Sequence, residues 1–172
     1  MNHGSNRKKI ERASASLFLN LYNERFHKNI EIIELRDSPD IYCKDLKTYE
    51  EMYLEITLIE DLKGEIAYML GRGQKPISPV TGSSVRSFFD DVVPILIDRI
   101  KDKTQSYYGK NTALVIRQTS PLWEPKEWKI VKDKIISTVG SISERNYGKG
   151  IWIICTNTET WPASDTIYQL WP

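Results

Sequence analysis

The chain has 172 residues, of which 40% are hydrophobic and 27% charged, and its net charge is +1. That length holds one domain with a sizeable core, the composition favours a soluble globular domain over disorder, and the near-neutral charge gives no strong global vote for a nucleic-acid partner. Cys43 and Cys155 form no CxxC pair, and His3 and His27 are too few and too far apart for a zinc site or a catalytic triad.

No apolar run approaches membrane-spanning length, and the first nine residues lack the apolar core of a signal peptide, so a reducing cytoplasm is the expected location. Residues 10–26 repeat apolar positions at three- and four-residue steps, through Ile10, Ala13, Leu17 and Leu21 and through Ser14 and Phe18, which predicts an amphipathic helix ending at Asn29. Residues 30–35 alternate as a strand. Asp37-Ser38-Pro39-Asp40 is turn chemistry, and Ile41-Tyr42-Cys43 resumes extended structure. Residues 52–59 form a third strand that should be largely buried. Three strands with short turns suggest a meander or mixed sheet.

A short helix is expected within residues 61–70, then a Gly- and Pro-rich loop over residues 71–84. Its GxG has no strand directly before it and no GK[ST] after it, so it is not a phosphate loop by pattern. Its length and its Arg72 and Lys75 suggest a flap or a partner-binding segment. Ser84 can cap a helix over residues 85–107, with Pro94 predicting a kink or break near Val93 and Gly109 a stop. Strand 113–117, helix 126–142 and strand 151–155 read as a parallel crossover, and residues 166–171 as a final strand. The order predicts an α/β sandwich, a mixed central sheet with helices on both sides.

Two carboxylates stand out. Asp40 sits at the mouth of one extended segment, and Glu55 lies inside the apolar run Met52-Tyr53-Leu54-Glu55-Ile56-Thr57-Leu58-Ile59. A charge in such a run must be paired, solvated on an edge strand, or metal-bound. If the two segments pair, Asp40, Glu55 and the backbone carbonyl of Ile56 offer the oxygen donors that Mg²⁺ prefers. Thr57 shares the Glu55 face of its strand.

The pattern Pro39-Asp40, then Glu55-Ile56-Thr57, resembles the PD-(D/E)xK nuclease superfamily, restriction-endonuclease-like in fold. The resemblance covers about residues 7–118, with residues 119–172 as an α/β extension of the same single domain. It implies a three-layer sandwich and a nuclease that hydrolyses DNA phosphodiesters with Mg²⁺ or Mn²⁺ held by Asp40 and Glu55. Many members add a glutamate from the first helix, for which Glu11 is the candidate and Glu24 its rival. DNA is the implied partner and a homodimer a candidate assembly. Thr57 departs from the motif, because it stands where the superfamily has a lysine that activates the attacking water. Either that lysine has moved, with Lys101 first choice and Lys103 second, or the protein is a binding or interaction module without cleavage activity. The five tryptophans are candidates for base stacking or for ordinary packing.

Overall fold

The computed structural model describes the chain except for residues 1–2, 61–63, 73, 75–86, 120–122 and 158–163. The first element is helix α1 (His3–Phe26), followed by β1 (Ile30–Leu35), β2 (Ile41–Asp45) and β3 (Glu51–Ile59). A short helix α2 (Glu65–Met69) precedes a π-helical turn (Phe88–Val92) that runs into α3 (Val93–Thr104). The chain closes with β4 (Thr112–Gln118), α4 (Pro125–Asn146), β5 (Ile151–Asn157) and β6 (Ser164–Trp171).

The strands form one mixed sheet in the order β1-β2-β3-β4-β5-β6. Strands β1, β2 and β3 make an antiparallel meander, β4 and β5 add in parallel, and β6 returns antiparallel. The crossover expected between residues 113 and 155 is present, with α4 linking two parallel neighbours. The sheet runs unbroken into the last third of the chain, so the C-terminal elements enlarge the same sheet.

Side-chain alternation divides the interior into two apolar layers. On one face Ala15, Phe18 and Leu19 of α1 pack on Leu54, Ile56, Val115, Trp152 and Ile154. On the other, Val93, Leu96 and Ile100 of α3 and Trp128, Ile135 and Val139 of α4 pack on Leu114, Ile116, Ile151 and Ile153. Helices therefore cover both faces, as the element order predicted. Strands β4 and β5 are buried on both sides, which is why they read as continuous apolar runs.

Local chemistry adjusts several boundaries. The buried stripe of α1 is Glu11, Ser14, Ala15, Phe18 and Leu19, while Ala13 is exposed. The helix ends at Phe26, before Asn29, because His27 turns into the left-handed region at φ 52°. The Asn23 amide then donates to the Ile30 carbonyl at 2.9 Å and accepts from the Ile30 N–H at 2.9 Å, fixing β1 against the helix. Ser84 and most of the 71–84 loop lie outside the described residues. Ser87 is the observed cap, accepting from the Asp90 N–H at 3.3 Å while its own N–H donates to Asp91 at 3.0 Å. Pro94 stands just after the π-helical turn, at the start of α3, so the expected break near Val93 appears as the π-to-α junction. Among the described residues no helix is long and apolar enough to cross a membrane.

Candidate metal and phosphodiester site

Strand β3 changes its surroundings halfway along. Residues 51–54 pair with β2, but the pairing stops at Ile41–Leu54, whereas the pairing with β4 continues to Ile59. The Tyr53 N–H donates to the Asn111 carbonyl at 2.9 Å and the Ile59 carbonyl accepts from the Thr119 N–H at 3.0 Å. Odd-numbered backbone groups of β3 thus face β4. Even-numbered ones face the side that β2 has left, since N–H and C=O of one strand residue point the same way.

Asp40 stands in that gap. One step beyond Ile41–Leu54, the register sets Asp40 across from Glu55. Asp40 Oδ2 accepts the Ile56 N–H at 2.8 Å, so the carboxylate satisfies the strand edge where the ladder ends. The Ile56 carbonyl lies on the same edge. Asp40 is 1% exposed and Glu55 3%. Burial, and after it the negative charge of Glu55, push the Asp40 carboxyl up to about 6.

Cations come from both faces. Lys103, near the end of α3, donates to Glu55 Oε1. From α1, Arg7 Nε donates to Glu11 Oε1 at 2.6 Å and Arg7 Nη2 lies 3.7 Å from Asp40 Oδ1. Lys8 lies 3.7 Å from Glu11 Oε2 and 3.3 Å from Asp37. These ion pairs leave orphan acceptors. Asp40 Oδ1, Glu55 Oε2 and Glu11 Oε2 are buried and accept no hydrogen bond among the described residues.

The structure therefore brings Asp40, Glu55 and the Ile56 carbonyl to one edge, with Thr57 buried two residues further along the Glu55 face. Glu11 is nearby but tied to Arg7, which stands between it and Asp40. Among the described residues no group of three or more His, Cys, Asp or Glu side chains is arranged to hold a metal ion. Glu11 is thus not brought into one cluster with the other two. Glu24 is exposed and lines a separate surface cleft with Arg25 and Asp165.

Lys101 is exposed, and Lys103 is the lysine that reaches the site. The two flank opposite edges of the α3 stripe Val93, Leu96, Ile97 and Ile100, being about 200° apart at about 100° per residue. Only one edge faces β3. The missed contributor is Arg7. Its signal was the four-residue step to Glu11, the spacing at which helical ion pairs form.

Other candidates resolve as packing. Cys43 is fully buried in the α1-side layer, and burial pushes its thiol up to about 12, so it stays protonated. Trp128, Trp152 and Trp171 are buried, Trp123 packs against the α3–α4 layer, and Trp161 lies outside the described residues.

A cleft of about 530 Å³ opens from this edge and is lined by Arg7, Glu11, Ile56, Thr57, Arg99 and Lys103, among others. Two buried carboxylates, set beside this cleft and not lining it, each have an oxygen that accepts no hydrogen bond among the described residues. With one backbone carbonyl they are oxygen donors of the kind hard divalent cations take. No known protein family, curated protein or solved structure matches this chain.

Proposed function

We propose that this chain is a metal-dependent nuclease domain of restriction-endonuclease-like type that hydrolyses DNA phosphodiesters. The reading is supported by one observation above all. Asp40 and Glu55 are buried side by side at an open strand edge, each with an oxygen that accepts no hydrogen bond among the described residues. Leaving two like charges so close in a core is costly, and stability alone offers no reason to keep them. A divalent cation on Asp40, Glu55 and the Ile56 carbonyl would offset that cost. The succession of helix, antiparallel meander, helix and parallel fourth strand agrees with the fold that the motif implies.

When bound, Mg²⁺ or Mn²⁺ polarises a phosphoryl oxygen and lowers the pKa of a water. The remaining work falls to this chain. The Ile56 N–H pins one Asp40 oxygen and leaves the other free. Lys103 supplies the ammonium that Thr57 lacks, from the α3 side of the sheet, where it can stabilise negative charge gained by the phosphate. Arg7 contributes a second positive charge at the cleft and holds Glu11 in place.

Calorimetric titration with Mn²⁺ and plasmid nicking, for the parent, Asp40→Asn and Glu55→Gln, test the proposal. The parent is expected to bind and nick, and both variants to lose both. Metal binding unchanged in the two variants would remove the site. The second reading, a module that binds without cutting, is favoured by the ion pairs: Lys103 on Glu55 and Arg7 beside Asp40 already compensate carboxylates that a metal would take. A parent that binds DNA but never nicks it decides for that reading.

A further inference from the structure

The cleft beside the carboxylates is asymmetric, and the asymmetry bears on which form of DNA it takes. Its far wall is apolar, made by half-buried Ile10 of α1, Leu58 of β3, and Ile66 and Leu70 on and beside α2. A second depression of about 500 Å³, which also touches Glu60, shares Leu58, Ile66, Leu70, Arg72 and Arg99, so the two adjoin along one groove wall. The rim carries exposed Arg72 and Arg99, and among the described residues neither makes an ion pair.

Beyond the carboxylates, the neighbouring open sheet face is different. Its cations already have partners: Arg36 donates to Glu34 at 2.7 Å and lies over the Tyr42 ring, while Lys44 lies over the Tyr49 ring with Glu31 and Glu51 at its register positions on the neighbouring strands. Phosphates laid there would displace existing carboxylate partners and meet Glu31, Glu34 and Glu51. Among the described residues, exposed guanidinium groups without an ion pair stand at the groove, Arg72 and Arg99, beside its apolar residues. One strand finds complementary charge and a surface for unstacked bases. The second backbone of a duplex does not.

We propose that the groove is a single-strand track: it takes an unpaired DNA strand, with phosphates on Arg72 and Arg99 and bases against Ile10, Leu58, Ile66 and Leu70. This rests on the nuclease reading for the identity of the polymer, and it narrows the substrate from DNA to unpaired DNA. Burying unstacked bases against aliphatic surface is favoured without regard to sequence, and the charge sets a salt dependence.

The test is fluorescence anisotropy of the full chain in EDTA, with labelled oligothymidylate and a blunt duplex of matched length across a salt series. The oligomer is expected to bind at least about tenfold more tightly than the duplex. Arg72→Ala with Arg99→Ala, both exposed positions that leave the fold intact, should flatten the logarithmic salt slope by about 1.4, at about 0.7 per phosphate contact on a single strand. Ile66→Ser should weaken the oligomer while leaving the slope unchanged. Duplex bound as tightly as the oligomer, or a slope unmoved in the double arginine variant, would overturn the track. Nicking is scored separately in Mn²⁺. An oligomer bound with this preference but never cut removes the hydrolase reading and upholds the track. A blunt duplex cut as fast as the oligomer upholds the hydrolase and removes the track.

Discussion

A buried aspartate stands at either end of strand β2, Asp40 just before it and Asp45 as its last residue, and the two are in opposite electrostatic situations. Asp45, at its end, is 2% exposed, and its Oδ1 accepts the N–H groups of Lys47 at 2.8 Å and Thr48 at 3.4 Å. Lys28 lies 3.8 Å from the other oxygen. The Lys47 N–H above all, with Thr48 and Lys28, holds the Asp45 carboxyl below the ordinary carboxylate range. Asp40, at its start, has one backbone donor, an orphan oxygen and Glu55 as neighbour, and its carboxyl is pushed up to about 6. The fold stabilises the charge of Asp45 and opposes that of Asp40. A carboxylate that folding resists is a candidate for a functional role, whereas one wrapped in donors is a turn cap.

The largest expected effect separates the two by activity. Asp40→Asn should reduce metal-dependent nicking at least about 100-fold, because it removes a charged oxygen ligand. Asp45→Asn should leave nicking within about twofold while lowering Tm, since it loses only the charge that its donors favour. Equal losses in the two variants would erase the distinction.

Next comes the partner of Glu55. Lys103→Ala leaves a buried carboxylate without its cation and should cost about 2 kcal/mol in urea unfolding, below the 3–5 of a fully buried pair because the Lys103 side chain is 25% exposed. It should also slow nicking by about tenfold or more. Adding Thr57→Lys, on the Glu55 face of β3, should recover part of that rate. Lost stability with unchanged nicking would make Lys103 a charge partner only.

The stability comparison runs the other way from activity. Asp40 has its folded pKa above its ordinary value of 3.8, so its contribution is present below about pH 4 and is lost as pH rises through about 6. Ionising it in the metal-free fold costs at most about 3 kcal/mol, at about 1.4 per pH unit. Asp40→Asn should therefore stabilise the metal-free protein by about 1–2 kcal/mol at neutral pH, after allowing for the lost Arg7 attraction, and the gain should vanish toward pH 4. Asp45 has the opposite sign: its contribution is present above its ordinary pKa and is lost as pH falls through its depressed folded value. A gain in Asp40→Asn that is independent of pH would rule out titration as its cause.

Smallest is Lys101→Ala, expected within about 0.5 kcal/mol and without effect on nicking, as for an exposed residue away from the site.

The sequence by itself determined which segments are helices and strands, and it singled out Asp40 and Glu55. Period-two and three-to-four-residue patterns are local, and an acid isolated in an apolar strand or closing a Pro-Asp turn is visible without knowing its neighbours. Strand parity even put Thr57 on the Glu55 face and the Ile56 carbonyl on the edge toward Asp40. Tertiary structure decided the rest. Lys101 and Lys103 flank the α3 stripe on opposite edges, and only the packing of that helix on the sheet chose Lys103. The early end of the β2–β3 ladder, which leaves a groove at residues 55–59, depends on where β2 starts relative to β4 and has no local signature. Glu11 was legible as a helix carboxylate on the right stripe. Its capture by Arg7, in place of a seat among the other two acids, was set by the distance between α1 and the strand edge, a length that only packing fixes.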